Sequence, residues 1–421
     1  MLTVNRPRRP SALRGSPAFR RLWGAHLISS LGSGITGLAI PLLAAVTLHA
    51  SPAAIGALTA VSALPHVLLS LPAGVLVDRA PQRAVLILTD FGRALCLGLV
   101  PILGLLGLLS MPVLYGVVFL VQAQTVVYDL ASASTVPKVL PPRLLAAGNS
   151  AIAVNGSAAA IAGSGLGGGL VQLIGAAFAV AVDAVSYLLS GLLLLFLRSP
   201  ELAAARITGR RGVLGDIRSG LAHVLKDRVL VALCLSSGLG AFAVAMRDAS
   251  LVLALVRELH FTAATVGLLA VTAGVGGILG GLLADRVARR FGFGRSVITA
   301  VLTGAAAIGL LAAPFGTAPA VVVGVGQFVG GLSGAVYTIG QLTMRQLATP
   351  PGLLGRVNAA RRFLVYASLP LGAMAGGLGG AALGSRSMLL IAAVVMLIAV
   401  IPLLAAGIGR DVVEPGAVAF T

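Results

Sequence analysis

Long apolar runs alternate with short polar stretches along almost the whole chain of 421 residues. An α-helix needs about 20 apolar residues to cross the ~30 Å hydrocarbon core of a bilayer, and twelve runs approach or exceed that length. The pattern therefore predicts an all-α polytopic membrane protein with twelve transmembrane helices. The predicted spans lie near 22–48, 53–77, 84–107, 111–135, 144–171, 174–197, 229–256, 262–284, 296–313, 318–344, 354–381 and 387–409.

One longer polar stretch separates the first six runs from the last six and predicts a linker between two halves. We predict an N-terminal tail over 1–20, a six-helix half over 21–197, the linker over 198–228, a second half over 229–409 and a C-terminal tail over 410–421. The linker has apolar residues on one helical face, namely Leu214, Ile217, Leu221, Val224 and Leu225. An amphipathic helix on the inner membrane surface and a solvated linker helix both explain this face.

Short motifs of the first half recur in the second half, which indicates a duplicated unit. A Gly-x-x-x-Asp-Arg motif occurs twice, 207 residues apart, as Gly74, Asp78 and Arg79, followed by Arg83, and as Gly281, Asp285 and Arg286. Other pairs keep an offset of 209, namely Tyr128 with Tyr337, and Gly163, Gly167 and Gly168 with Gly372, Gly376 and Gly377. These pairs predict two six-helix pseudo-repeats.

The composition and the position of the charges agree with a membrane protein. Only 10% of the residues are charged and 58% are hydrophobic, whereas a soluble domain has roughly 25% charged residues. The net charge of +18 comes from 30 lysines and arginines against 12 acidic residues. Of these 30 basic residues, 26 fall in the tails and loops on the side of the N-terminus. Arg257 and Arg386 alone fall on the opposite side. The positive-inside rule then predicts both termini in the cytoplasm and leaves no need for a nucleic-acid partner.

Two six-helix halves, each with the Gly-x-x-x-Asp-Arg motif after its second helix, resemble the major facilitator superfamily. The resemblance covers roughly residues 20–409 and implies a secondary transporter in which two halves rock about a central site. A finer resemblance is to the bacterial exporters that include the enterobactin exporter and macrolide-efflux permeases. It rests on the stretches 19–23, 183–187 and 345–359, which begin Phe-Arg-Arg, Asp-Ala-Val and Arg-Gln.

The duplicated motif has a predicted role in gating. Asp78 and Asp285 place carboxylates at the inner membrane surface, where each can face the positive N-terminus of a helix from the other half. The candidate charge partners are Arg356 at the start of the eleventh helix and Arg143 at the start of the fifth. By resemblance, these contacts close the cytoplasmic side and release it during transport. A simple topogenic Asp-Arg turn is the alternative.

The glycine run 163–168 in the fifth helix resembles an antiporter motif in which a proline stands where this chain has Ser164. Small residues in this run and in its counterpart in the eleventh helix permit helices to cross closely. Helix packing alone and a role in setting the direction of export both explain the run.

Ionisable residues inside membrane spans are costly and therefore point to function. Asp90 and Arg93 lie three residues apart on one helical face, where they can pair. Asp183 and Asp248 are the candidates for proton coupling, because burial disfavours the charged form of a carboxyl group and can keep it protonated near neutral pH. A hydrogen-bonded structural carboxylate is the alternative. Arg247 precedes Asp248, but adjacent residues of a helix point in different directions and need not pair.

Uncharged polar side chains in the fourth, fifth and tenth helices are candidates for lining a cavity near the midplane of the membrane. They are Gln122, Gln124, Asn155, Gln327 and Gln341. The sequence has no phosphate-binding loop, no His-Glu-x-x-His motif and no paired cysteines. We therefore predict no enzyme activity, no cofactor and no metal site.

These features predict a monomeric transporter in the cytoplasmic membrane, with the lipid bilayer, a small-molecule substrate and protons as its partners. The favoured function is proton-coupled efflux of amphipathic molecules, such as drugs or siderophore-like metabolites. One alternative is an importer of a small nutrient with the same fold. Another is a membrane protein that does not transport solutes, such as a lipid scramblase or a sensor.

Overall fold

The computed structural model describes residues 16–141, 144–197, 222, 224–313, 318–349 and 354–409. These residues include twelve helices that are long and apolar enough to cross a membrane, which confirms the predicted number. The helices are α1 Pro17–Leu42, α2 Pro52–Arg79, α3 Gln82–Leu105, α4 Met111–Val139, α5 Leu145–Ile174, α6 Ala176–Leu195, α7 Arg228–Leu253, α8 Ala263–Phe291, α9 Phe293–Ala312, α10 Pro319–Ala348, α11 Leu354–Leu383 and α12 Ser385–Ile398, which is followed by a short helix Ile401–Ala405.

Polar side chains and glycines set the ends of several helices. The side chains of Ser16, Asp227 and Thr262 accept hydrogen bonds from the first free amides of α1, α7 and α8, respectively. Such N-caps satisfy backbone donors that have no partner inside the helix. Gly175 and Gly292 join successive helices with φ angles of 83° and 82°, which only glycine adopts without strain.

Successive helices run in opposite directions, so the turns alternate between the two ends of the bundle. We call the end with Ser16 and Gly292 the basic end, because most of the described arginines and lysines lie there, and the opposite end the far end. The described basic residues at the basic end are Arg20, Arg21, Arg83, Lys138, Lys226, Arg228, Arg286, Arg289, Arg290, Arg295, Arg345, Arg361 and Arg362. Arg257 and Arg386 lie at the far end.

Large apolar side chains cover the outside of the bundle. Leu88, Leu105, Leu173 and Leu282 are each at least 70% exposed, and many other leucines, isoleucines and valines share this outer surface. A water-soluble protein rarely exposes apolar patches of this extent. The surface is therefore suited to contact with lipid, as expected for a multi-pass membrane protein.

The two sets of six helices pack in equivalent ways. In the first set α1 packs against α5 and α6, and in the second set α7 packs against α11 and α12. Likewise α2 packs against α4, and α8 against α10. The main contacts between the sets join α2 to α11 and α5 to α8, which are again equivalent pairs. The predicted pseudo-repeats are thus present in the packing as well as in the sequence.

The ends of α1 and α7 show the duplication at a finer level. Each helix closes with one π-helical turn, Leu43–Thr47 after α1 and Ala254–Glu258 after α7. A histidine with positive φ follows each turn, His49 at 48° and His260 at 53°. This pair of π turns was not predicted from the sequence, because π turns are rare and have no simple sequence pattern.

The repeated glycines lie where helices of one set meet. A Cβ atom added to Gly163 of α5 would lie only 2.6 Å from the Cα atom of Gly34 in α1. Gly167 faces Ile35 of the same helix. Their counterparts in α11, Gly372 and Gly376, lie in the same way against Phe242 and Met246 of α7. Each glycine therefore permits a contact between helix backbones.

The last glycine of each repeated group lies between the two sets of helices. A Cβ atom on Gly168 would lie 2.8 Å from the Cα atom of Gly267 in α8. A Cβ atom on Gly377 would lie 2.6 Å from the Cα atom of Gly56 in α2. Both contacts occur in the half of the bundle nearest the far end. They hold the two sets together at that end.

The predicted linker helix falls almost entirely outside the described residues. Leu214, Ile217 and Leu221 are among the residues without a description. Val224 is buried and Leu225 is exposed in the short stretch that leads into α7. The amphipathic helix on the membrane surface stays a prediction.

We predict that Gly168→Ala destabilises the protein, because the added methyl group would meet the backbone of α8. Overpacking of this kind costs roughly 1–3 kcal/mol, and the melting temperature falls by about 2–4 °C for each kcal/mol. Thermal unfolding of the purified protein measures this change. Gly169→Ala is the matched control, because no atom lies within 4 Å of a Cβ added there. Equal melting temperatures for the two variants would contradict the packing argument.

Candidate functional site

A buried charge cluster lies inside the first set of helices. Arg93 forms an ion pair with Asp90 on the same face of α3, as the spacing predicted. Ser190 of α6 donates a hydrogen bond of 2.6 Å to the other oxygen of Asp90. The guanidinium lies over the rings of Tyr128 and Tyr187, at 4.3 Å and 4.1 Å from their centres. The charge of Arg93 is thus neutralised and enclosed by its neighbours.

A cavity of about 430 Å³ lies beside this cluster, between helices of the first set and α7. We call it the N-side cavity. Its size falls within the range of small-molecule sites. Both carboxylates proposed for proton coupling, Asp183 and Asp248, line it. The other lining residues are Ser33, Thr36, Gly37, Ile40, Pro41, Ile55, Leu58, Thr59, Ser62, Leu97, Val118, Val121, Gln122, Thr125, Tyr187, Leu251 and Val252.

Asp183 lies at the wall of the N-side cavity and is only 1% exposed. Its Oδ1 atom accepts a hydrogen bond of 2.9 Å from Ser186, one turn further along α6. Gly32 of α1 faces this carboxylate, and any side chain there would collide with it. None of the ion pairs in the described part of the chain includes Asp183. Asp183 is therefore a buried carboxyl group held by a neutral partner.

Asp248 has a different environment, because it pairs with the adjacent arginine, a contact that the sequence left open. Arg247 bonds to its neighbour, with Nε at 2.9 Å and Nη2 at 2.6 Å from the same oxygen, Oδ1 of Asp248. The long arginine side chain bends around the helix, so the different directions of adjacent Cβ atoms do not prevent pairing. The side chain of Asp248 is 48% exposed and that of Arg247 is 21% exposed.

A second cavity of about 330 Å³ lies among α7, α9, α10, α11 and α12, and we call it the C-side cavity. Its polar lining includes Ser236, Ser237 and Tyr337, whose hydroxyl groups are joined by hydrogen bonds of 3.1 Å and 3.3 Å. Arg247 lines this cavity, whereas Asp248 lines the N-side cavity. The Arg247–Asp248 pair therefore lies between the two cavities.

The five amide side chains that were predicted to line a cavity have different locations. Gln122 lines the N-side cavity. Gln124 bonds to Leu120 and packs on α3, and Asn155 donates to the carbonyl oxygen of Trp23. Gln341 is buried and accepts a bond of 3.2 Å from Arg345. Gln327 lines neither the N-side nor the C-side cavity. Periodicity alone did not distinguish the side of each helix that faces the cavity from the sides that face neighbours.

Most of the first gating motif lies outside the described side chains, including Gly74, Asp78, Arg79, Arg143 and Arg356. Arg83 donates a hydrogen bond of 2.6 Å to the carbonyl oxygen of Leu195 at the end of α6.

In the second copy of the motif, Asp285 pairs with Arg289 of its own helix at 2.5 Å, and both side chains are largely exposed. Gly281 has open space around the position of a Cβ atom, and Arg286 is exposed. Asp285 thus has a partner within α8, and its predicted contact with Arg143 stays a prediction, because Arg143 lies outside the described residues.

The far end of the bundle is closed by contacts between the two sets. Leu38 and Leu42 of α1 belong to one buried apolar cluster with Leu251 and Leu255 of the α7 segment. Arg257 follows and donates hydrogen bonds of 3.1 Å and 2.7 Å to the carbonyl oxygens of Ala45 and Ala50. From the sequence alone, Arg257 is only one of two basic residues on this side.

The described part of the chain contains no group of three or more His, Cys, Asp or Glu side chains that could hold a metal ion. Cys96 and Cys234 are both free thiols. The chemistry available at the cavities is therefore that of carboxylates, hydroxyl groups, one amide and one guanidinium.

Three bacterial relatives have similar sequences and are uncharacterised transporters of the major facilitator type. YkuC and YfiS of Bacillus subtilis are 27% and 26% identical, over 51% and 57% of each chain. The match therefore spans only about half of the length of these two relatives. The y4rN protein of Sinorhizobium fredii is 26% identical over 80% of this chain and 82% of its own.

Solved transporter structures share the fold at low sequence identity. A bacterial homologue of the iron transporter ferroportin, in an inward-facing state, has a TM-score of 0.74 at 17% identity, over 94% of this chain and 99% of its own. The nucleoside transporter NupG has a TM-score of 0.73 at 14% identity, over 93% and 99%. The family model for transmembrane secretion effectors matches residues 11–410. The chain thus belongs to this family of major facilitator transporters.

Proposed function

We propose that the protein exports amphipathic small molecules from the cytoplasm in exchange for protons. The observation that carries this proposal is the N-side cavity, which combines a buried carboxyl group without an ion-pair partner with an exposed carboxylate. A proton-coupled transporter needs a group that binds protons and a separate surface that binds its substrate. The cavity provides both between the two sets of helices.

Asp183 is the better candidate for the proton site. A carboxyl group that is buried and paired only with a hydroxyl can exist in the neutral form, because burial penalises the charge. Asp248 is half exposed and already bonded to the guanidinium of Arg247. The two coupling candidates from the sequence are thus separated by their surroundings.

Alternating access explains why the far end is closed. The apolar cluster around Leu42, the bonds of Arg257 and the glycine contacts of Gly168 and Gly377 all join the two sets near that end. In this proposal the basic end provides the route into the cavities. The excess of basic residues favours a cytoplasmic location for that end and for both termini. This arrangement corresponds to an inward-facing state, the state of the ferroportin homologue.

The direction of transport rests on the family, whose model is described as a transmembrane secretion effector, and on the resemblance to bacterial exporters. The fold itself is shared with a nucleoside transporter, so an importer of a small nutrient is the second candidate. A scramblase or a sensor would have no need for a buried carboxyl group without an ion-pair partner at a cavity of this kind. Movement of protons that depends on substrate separates a transporter from these proteins.

We predict that Asp183→Asn abolishes proton movement coupled to substrate, because the amide cannot take up a proton. The assay uses everted membrane vesicles energised by respiration and a pH-sensitive dye, with amphipathic cations, macrolides and siderophores as substrates. Wild-type vesicles should show dye recovery when a substrate is added. Asp183→Glu keeps the carboxyl group and should retain part of the response. Recovery that survives in Asp183→Asn but is lost in Asp248→Asn would assign coupling to Asp248 instead.

Arg257→Gln should make the far end open more often, because the charged donor to two carbonyl oxygens is lost. A loss of roughly 1 kcal/mol shifts the opening equilibrium about fivefold. Maleimide labelling of Leu42→Cys, in a protein without Cys96 and Cys234, measures the opening.

Arg386→Gln is the control for this experiment, because Arg386 lies at the same end but bonds to Ala313 within the second set. It should leave the labelling rate of the introduced cysteine unchanged. Equal labelling rates for the Arg257 and Arg386 variants would show that Arg257 does not hold the far end closed.

The gating role of the first motif predicts that Asp78→Asn slows transport and leaves membrane insertion intact. The carboxylate would be lost from the position that faces the N-terminus of α11 in the closed inner gate. Asp227→Asn makes the same chemical change at the basic end, and asparagine also serves as an N-cap for α7. Transport rates and membrane levels of both variants test the role. An unchanged transport rate for Asp78→Asn would support the alternative that the motif is only a topogenic turn.

A further inference from the structure

The Arg247–Asp248 pair leaves one oxygen of the carboxylate unused. Both bonds from the guanidinium end on Oδ1, and in the described part of the chain no hydrogen bond reaches Oδ2. The side chain of Asp248 is half exposed and lines the N-side cavity. A molecule in this cavity can therefore reach Oδ2 of Asp248 without breaking an existing hydrogen bond.

The charge of the N-side cavity favours a cation. Asp183 and Asp248 are its only carboxylates, and none of the described residues that line it is a lysine, arginine or histidine. Arg93 is the nearest buried guanidinium on the same set of helices, but Asp90 and two tyrosine rings enclose it. The remaining walls are hydroxyl groups, one amide and apolar side chains. An apolar molecule with one positive charge suits this lining.

Arg247 has space to move away from Asp248. It lines the C-side cavity, and a Cβ atom added to Gly330 of α10 would lie 4.0 Å from its Nη1 atom. The absence of a side chain at Gly330 leaves room for the guanidinium on that side. Ion pairs that are open to solvent contribute little to stability, so a competing cation can replace one partner.

We propose, on the basis of the transport function above, that Asp248 binds the positive charge of a lipophilic organic cation and that Arg247 holds this position in the empty protein. The ligand displaces the guanidinium, which then turns towards the C-side cavity. Arg247 is therefore a specificity-determining residue: it neutralises Asp248 until a ligand of sufficient affinity enters. Removal of its charge should strengthen the binding of cations rather than weaken it.

The test is equilibrium binding of radiolabelled tetraphenylphosphonium to the purified protein in lipid nanodiscs, without any proton gradient. Tetraphenylborate has nearly the same size and the opposite charge. Binding of each ion to nanodiscs without protein is subtracted, because the membrane dipole potential favours the anion in the lipid itself, and the remaining difference reports the contribution of charge at the protein. We expect the wild-type protein to prefer the phosphonium. Arg247→Gln should lower its Kd about fivefold, and Asp248→Asn should raise it about tenfold, since one charge contact is gained or lost.

Matched variants keep the result interpretable. Arg295→Gln makes the same change in charge at an exposed site of the basic end, where Arg295 bonds to Gly409, and should leave the Kd unchanged. Asp248→Glu keeps the carboxylate and should bind the phosphonium more tightly than Asp248→Asn, as expected if the weaker binding of the asparagine variant comes from the lost charge.

Three results would overturn the proposal. The first is weaker phosphonium binding by Arg247→Gln than by the wild-type protein. The second is wild-type binding of tetraphenylborate that equals or exceeds that of the phosphonium. The third is no binding of the phosphonium at all. The assay contains no proton gradient, so it separates a failure of cation recognition from a failure of proton-coupled export. The latter is measured by the vesicle experiment with Asp183→Asn.

Discussion

The close approach of helix backbones at two glycine contacts is the constraint on which the rest of the structure depends. Gly168 meets Gly267, and Gly377 meets Gly56, at distances that leave no space for a side chain. In a membrane, helices gain little from burying apolar groups against each other, so close packing and small residues determine which helices associate. These two contacts bring the sets together near the far end. The N-side cavity and the contacts of Arg257 lie where the two sets meet.

The sequence predicted the scaffold well because the bilayer imposes a simple rule on length and polarity. Every predicted span corresponds to a helix. The largest differences are at α12, which ends at Ile398 rather than 409 and is followed by the short helix Ile401–Ala405, and at α8, which continues past 284 to Phe291. The ion pair of Asp90 and Arg93 also followed from spacing on one helix. By contrast, the partner of Arg247 depends on how a flexible side chain bends. The bonds of Arg257 depend on a turn that is distant in sequence.

The residues of the candidate site could be predicted only in part from the sequence, for a related reason. Asp183, Asp248 and Gln122 line one cavity, whereas Asn155 and Gln341 bond to neighbouring groups instead. All are polar residues in apolar helices. Helical periodicity shows which residues lie on the same face of a helix, but it does not show whether that face meets a cavity or a neighbouring helix. Packing against the other helices decides this. The same holds for Gly32, whose importance comes from the carboxylate of Asp183 on another helix.

The duplication has copied the scaffold but not the charges. Gly175 and Gly384 form equivalent turns 209 residues apart, and at the same offset the counterpart of Asp183 is Ala392, which is fully buried. The π turns after α1 and α7 are 211 residues apart, and there the counterparts of Arg247 and Asp248 are Thr36 and Gly37. A rocking motion needs two similar halves, because equivalent contacts must open and close. The two carboxylates to which we assign functions are each present in one half only, so the proposed proton site and the proposed cation site are not related by the duplication.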